Sequence, residues 1–410
     1  MARHNHTPAT PPRAANCDVG IVMEASTSFS RGVLTGVSKW MSQHEGWWIT
    51  IDDRDRDAPI PQWLLRWAGD GLISGLNEPA LPRPWRGGLR PVVHVRSRPM
   101  AERLPGVYPD DDAAVQLVVG HFVDRGVRQL AFCPSAADGS SGPCDSILHH
   151  AERFGCVVDV FAPPRSAARL RAGADQERQA LARWLVSLPK PVGVMAASDV
   201  QAVQLIDTCR EHGLAVPDEV AVVGISDDDV LCKLATPALT SVTHDRVRIG
   251  LEAAQMLDDL MRAGRPASAV VLVPPVGISI RRSSDVLAVA DADIRQALQL
   301  IKSKGCADLS AAQVALAVGV PRRLLDRKFQ RALGRTIHDE LQHTKLNEAK
   351  RLLVQTDHKL MVVSVRAGFA HAAQLCNVFK SVFGVSPMQY RKAARPCREI
   401  ADKATSPPRR

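Results

Sequence analysis

Arg322, Arg323, Arg327 and Lys328, and a second set, His371, Gln374, Asn377 and Lys380, are side chains of the types that contact nucleic acid. A guanidinium fork meets the O6 and N7 edge of guanine with two hydrogen bonds, and a carboxamide does the same for adenine. Arg323 and Arg327 therefore suit guanine, whereas Gln374 and Asn377 suit adenine. Lys328, Lys380 and Arg391 are better matched to phosphates, which position a protein on a duplex without reading its sequence. Ala372 and Ala373 offer only methyl groups, so the second set is expected to read more permissively than the first.

Each set needs a helix with one buried face. In the first, Ser310 can cap a helix over Ala311–Val318, Gly319 supplies a turn, and Pro321 starts a second helix over Arg322–Leu333. Leu325, Phe329 and Leu333 recur at four-residue spacing and face the core, and Gly334 stops the helix. The plan repeats with Leu360–Ala367, the turn Gly368-Phe369 and a helix over His371–Phe383, whose buried stripe is Leu375, Phe379 and Phe383. Thr336–Thr356 reads as one helix joining the units, with Ile337, Leu341, Leu346, Ala349 and Leu353 inward. Two helix-turn-helix patterns in tandem bring two helices to successive major grooves of one duplex.

The charge distribution agrees. The 410-residue chain carries a formal +9, yet residues 291–395 alone hold 18 Lys and Arg against eight Asp and Glu. The remainder is close to neutral, as expected if only the basic quarter faces phosphates. Nine cysteines, an odd number with no C-x-x-C spacing, read as reduced thiols and argue against a disulfide or zinc framework. There is no P-loop, no G-x-S-x-G elbow and no metal spacing, so no catalytic residue, metal or cofactor is expected. No apolar run approaches the ~18–20 residues that span a bilayer, and a cytoplasmic protein without membrane contact is expected.

Ahead of this region, β-rich runs alternate with helical stretches. Strands are expected at 18–23, 48–52, 71–74, 92–95, 129–133, 156–161, 193–197, 220–225 and 271–274, and helices at 30–43, 112–125, 175–188, 199–212 and 246–263. Such alternation means βαβ units, and so long a stretch implies two α/β lobes with parallel sheets. Open parallel sheets take ligands beyond the carboxyl ends of their strands. The expected order is a leader (1–15), the two lobes (16–283), a linker (284–293), an all-α domain with two helix-turn-helix motifs (294–393) and a frayed tail (394–410).

Val314-Ala-Leu-Ala-Val-Gly-Val, Arg323-Leu-Leu-Asp-Arg-Lys-Phe, Ala367-Gly-Phe and Phe383-Gly-Val-Ser-Pro-Met-Gln-Tyr-Arg391 resemble the AraC/XylS family of transcription regulators. Val194-Met-Ala-Ala-Ser-Asp199, Gly224-Ile-Ser-Asp-Asp-Asp229 and Thr236-Pro-Ala-Leu-Thr-Ser-Val242 resemble a LacI-type, periplasmic-binding-protein-like effector domain. The resemblance implies a sequence-specific transcription regulator, an activator, controlled by a pentose such as xylose in the cleft between the lobes. It implies promoter DNA, the sugar, RNA polymerase and a second copy of the chain as partners. By position it assigns ligand contact to Glu24, Asp110, Asp199, Ser226 and Asp227, although Asp199 would equally serve as a helix N-cap. In the effector domain two departures from the pattern matter. Ser226 stands where relatives carry a sugar-gripping Asp, and Leu148 stands at an expected arginine. Losing those charged hydrogen bonds, each worth roughly 1.5–3 kcal/mol, leaves a second reading open: the same regulator with a degenerate or retargeted sensor.

Overall fold

Parallel strands need crossover connections, and the computed structural model shows two such sheets. The structure describes residues 16–394 except 54–59, 77–80, 87–88, 97–104, 135–141, 163–170, 264–269, 287–290 and 305–308. The expected leader, the tail beyond Ala394 and the middle of the expected linker lie outside the described residues.

The first unit opens with β1 (Cys17–Met23), α1 (Ser28–Met41), β2 (Trp47–Asp53), α2 (Gln62–Arg66), β3 (Gly71–Ser74), β4 (Val92–His94) and β5 (Gly106–Pro109). The second unit follows with α3 (Asp111–Val123), β6 (Gln129–Cys133), α4 (Gly142–Arg153), β7 (Val157–Val160), α5 (Arg171–Ser187), β8 (Val192–Ala196), α6 (Asp199–Glu211), β9 (Val220–Ile225), α7 (Asp229–Leu234) and β10 (Thr240–His244). The chain returns to the first unit for α8 (Arg246–Ala263) and β11 (Val270–Val273), then rejoins the second with β12 (Pro275–Ser279). Each unit holds one six-stranded sheet, ordered β11-β5-β4-β3-β1-β2 in the first and β12-β10-β9-β8-β6-β7 in the second. The pairs β1–β2, β1–β3, β6–β8 and β8–β9 are parallel. Their central strands are buried on both faces: every residue of β3 and of β8 is buried.

Strands β5, β10 and β12 and helices α2, α4 and α7 were not expected. Three of the helices are five to twelve residues long, and β5 is a four-residue strand whose Gly-Val-Tyr-Pro carries no alternation. The expected linker begins too early as well. Ser283 accepts from Thr240 N and donates to the carbonyl of Val222, both inside the second unit, and Val286 packs in its core. Ser283 and Ser284 are fully buried, so the α/β part extends through residue 286.

After it come α9 (Ala292–Lys304), α10 (Ala311–Val318), α11 (Arg322–Leu333), α12 (Ile337–Gln355), α13 (Leu360–Arg366), α14 (Ala372–Phe383) and α15 (Pro387–Ala394). These helices form two cores. One collects α9, α10, α11 and the start of α12, and the other collects the end of α12, α13, α14 and Tyr390.

In the first unit, α1 packs on α8 at backbone contact. A Cβ on Gly36 would lie 2.1 Å from the carbonyl oxygen of Val247, and one on Gly250 would lie 2.0 Å from that of Val33. Backbone atoms on both sides leave no flexible side chain to yield. Gly36→Ala and Gly250→Ala should therefore each destabilise the first unit by about 2–3 kcal/mol or more, seen as a lower thermal midpoint. Gly46→Ala, where nothing lies within 4 Å but φ is +108°, tests backbone strain alone.

Candidate functional site

The helical region presents the first candidate. Ser310 and Gln313 form a reciprocal capping box that starts α10, and Gly319 closes it in the left-handed conformation at φ 75°. Pro321 then leads into α11, in which Leu325 and Phe329 are fully buried. That burial fixes the rotation of the helix and leaves Arg322, Arg323 and Arg327 exposed. Arg322 lies 3.6 Å from Asp326, whose carboxylate also accepts from Ile337 N at the start of α12. Among the described residues, no hydrogen bond or ion pair engages the side chain of Arg323 or Arg327.

Lys328 is placed differently from the expectation. Its ammonium is 2.8 Å from Asp291 and 2.5 Å from Asp293, so it ties α11 to the entry of α9. Arg391 is also committed to structure, donating to the carbonyl of Leu353 in the last turn of α12 and to that of His358 in the connection to α13. Arg391 thereby satisfies a carbonyl that the end of α12 leaves open, while Lys328 neutralises two carboxylates at the start of α9.

In the second helix-turn-helix, Leu375 and Phe379 are fully buried while Ala373, Gln374, Asn377 and Lys380 are exposed. His371 precedes α14 as its N-cap, accepting from Gln374 N at 3.1 Å, and the Gln374 side-chain oxygen accepts from Ala370 N at 3.0 Å. Two expected readers thus share the work of starting their helix, which leaves Gln374's amide nitrogen, Asn377 and Lys380 as polar groups exposed on this helix. Lys350 lies 3.9 Å from the Phe383 ring centroid, and burial lowers its pKa. This cation–π contact ties α12 to α14.

The second candidate is the set of strand ends. Glu24 follows β1, Asp110 follows β5, Asp199 begins α6 after β8, and Ser226 and Asp227 follow β9. All lie at carboxyl ends of parallel strands, where open sheets take ligands. In the first unit Glu24 is 3.6 Å from Arg96, which follows β4 and was not among the expected residues. The strand-end rule applied to β4 would have found it.

In the second unit the carboxylates turn inward. Ser198, not Asp199, caps α6, accepting from Gln201 N. Asp199 is buried, takes the Ser241 hydroxyl at 2.5 Å and the Asp228 N–H at 2.7 Å, and so anchors the β9–α7 turn. Burial raises its pKa to about 6 despite those two bonds. Asp227 accepts from Arg281 at 2.8 Å, Ser279 at 2.7 Å and Thr243 at 2.8 Å. Ser226 and Asp227 hold φ values of 112° and 50°. Side chains rarely adopt these values, at a cost of about 1–3 kcal/mol each, and such residues cluster at binding sites. Leu148, on α4, is 47% exposed.

Comparison with known proteins matches residues 119–284 to a periplasmic binding protein-like domain and residues 294–393 to a helix-turn-helix domain. The chain is 27% identical to the xylose operon regulatory protein of Escherichia coli K12 over 384 residues, 91% of this chain and 96% of that one. The identity to the Haemophilus influenzae protein of the same name is 25%, covering 91% and 97%. A solved xylose-binding transcription activator superposes with a TM-score of 0.57 at 26% identity, covering 92% of this chain and 98% of that one. The chain is a DNA-binding transcription regulator that joins these two domains. In this regulator the helix-turn-helix match spans α9 to α15, so both reading units lie inside it. No helix among the described residues is long and apolar enough to cross a membrane.

The regulator's Asp199 supplies a pH test. Its folded pKa of about 6 lies above the ordinary 3.8, so the folded chain binds the proton more tightly than the unfolded chain. Stability from this group is lost as pH rises through about 6 and regained as pH falls. Asp199→Asn removes the effect. In urea unfolding, wild type should gain about 1 kcal/mol on the variant between about pH 7 and pH 5, and an unchanged difference would show that Asp199 does not titrate there.

Proposed function

We propose that the regulator activates transcription by placing α11 and α14 on promoter DNA, under the control of a pentose such as xylose. The observation that supports this most directly is the exposed guanidinium pair Arg323 and Arg327 on a helix whose opposite face is buried. Two arginines four residues apart can reach guanines on one groove floor, each contact being worth about 1–3 kcal/mol of discrimination. Gln374 and Asn377 on α14 would extend the reading toward adenine, and Lys380 would hold a phosphate. Arg322, beside its Asp326 partner, would contact the backbone. A second copy of the chain and RNA polymerase complete the proposed assembly, in the cytoplasm.

The pentose is proposed from the relatives, whose names refer to xylose. Glu24, Asp110 and Ser226, at strand ends, would supply hydrogen bonds to its hydroxyls. One observation favours the second reading, a sensor tuned to a different ligand. Asp227 already accepts from three side chains and Asp199 from two groups, so neither carboxylate stands open as a sugar-gripping acid.

Both parts can be tested separately. A duplex selected from a random pool by the wild-type chain should bind the Arg323→Ala, Arg327→Ala double variant about 10²–10⁴-fold more weakly. Wild-type affinity in that variant would overturn the DNA-reading assignment. Calorimetry with a pentose panel tests the effector: heat with D-xylose supports the first reading, and heat with another sugar alone supports the second.

A further inference from the structure

The contact that carries an inference beyond ligand and operator lies between α3 of the second unit and the start of α12. Asp124 follows the last turn of α3, and its two carboxylate oxygens take partners from the helix-turn-helix domain. Arg335 Nη1 donates to one oxygen at 2.7 Å, and His343 Nε2 lies 3.2 Å from the other. Arg335 Nη2 also donates to the Asp124 carbonyl at 3.1 Å, and its Nε donates to Glu340 at 2.5 Å. All three guanidinium nitrogens are therefore engaged, and only 17% of the side chain is exposed.

An exposed ion pair contributes little to stability. This one is shielded, shared between two acids and bonded through three nitrogens, the arrangement in which charge-assisted bonds are strong and specific. Burial alone would raise the Asp124 pKa, but His343 and Arg335 override it and hold the carboxyl at about 2, so the acid is charged at neutral pH.

The position of Arg335 gives the contact its meaning. It stands between Gly334, which closes α11 at φ 72°, and Thr336, which caps α12 through a reciprocal box with Asp339. A residue of the periplasmic-binding-protein-like domain thus grips the joint between the first reading helix and the rod that carries the second. The middle of α11 is also restrained, by Lys328 on Asp291 and Asp293. Among the described residues, the second reading unit reaches the same domain through a 3.4 Å bond from the Tyr390 hydroxyl to the Val276 carbonyl.

We propose that Asp124, Arg335 and His343 form a clasp through which the periplasmic-binding-protein-like domain sets the orientation of the first helix-turn-helix unit. The clasp rests on the reading of α11 as a DNA reader for its purpose, but its existence is testable without DNA or ligand.

The test is hydrogen exchange on the full chain, comparing wild type with Asp124→Asn and Arg335→Gln. A clasp is reciprocal. Asp124→Asn should speed exchange of amides in 334–344 by about tenfold, and Arg335→Gln should do the same in 120–127, with β8, β9 and α14 keeping wild-type protection. His343→Gln removes one of the two bridges and should give a smaller effect on both segments. Exchanging the charges, Asp124→Arg with Arg335→Asp, should restore much of the protection. If each variant loosens only its own segment, the two residues serve their own domains and the proposal fails. If both single variants lose protection throughout, His343→Gln decides: loosening confined to its own helix overturns the clasp. A wild-type chain whose duplex affinity ignores D-xylose would count against the pentose reading alone, and the exchange result would still decide the clasp.

Discussion

The helix α12 constrains everything the DNA-reading domain can do. Its nineteen residues make a rod about 28 Å long at 1.5 Å per residue, comparable with the roughly 34 Å repeat that separates successive major-groove faces of a duplex. Ile337 and Leu341 at one end belong to the core under α11, and Leu346, Ala349, Leu352 and Leu353 at the other belong to the core under α14. Each reading helix is therefore packed against the same rigid element, and neither can rotate without disturbing its own buried Phe329 or Phe379. The two reading faces are set by apolar packing on the far side of each helix, and the exposed polar residues follow from it.

The α/β domain shows a different balance. Parallel sheets deliver loops at the carboxyl ends of their strands, and the candidate residues Glu24, Asp110, Asp199, Ser226 and Asp227 all fall there. In the second unit, however, the turn after β9 uses its acids for itself. Asp199 holds the backbone of the turn, and Arg281, Ser279 and Thr243 surround Asp227. The positive φ values at Ser226 and Asp227 are sustained by that network, because an unsupported turn of this kind would relax. A carboxylate fully engaged in holding a strained turn contributes shape to the site more than it contributes an open acceptor.

Helix boundaries in the DNA-reading domain were legible because each end carries its own local chemistry. The limits of α10 and α11 agree with the expected ones, since Ser310, Gly319 and Gly334 act within a turn of the positions they terminate. His371, expected within the helix, is its cap, a one-residue difference at a boundary defined by a side-chain bond. The long buried strands β1, β6 and β9 were legible for a similar reason, as runs of apolar residues bounded by polar turns. The strands β5, β10 and β12 were not, because Thr240, Ser241, Pro275 and Gly277 become strand residues only when neighbouring strands supply hydrogen bonds.

The chain's own residues determined which helices exist, where they stop, and which face of each is apolar, because capping, left-handed glycines and helical periodicity act over a few residues. They also determined that the basic excess would gather on the DNA-reading domain. What only the tertiary structure decided is the use of individual charges. Lys328 and Arg391 are phosphate-contact types, but Lys328 is held by Asp291 and Asp293 and Arg391 by the carbonyls of Leu353 and His358. Asp124, which carried no signal in its own neighbourhood, meets Arg335 across 211 residues of chain. A charge takes its role from whatever partner the fold brings within about 3 Å, and sequence spacing holds no record of partners so far apart.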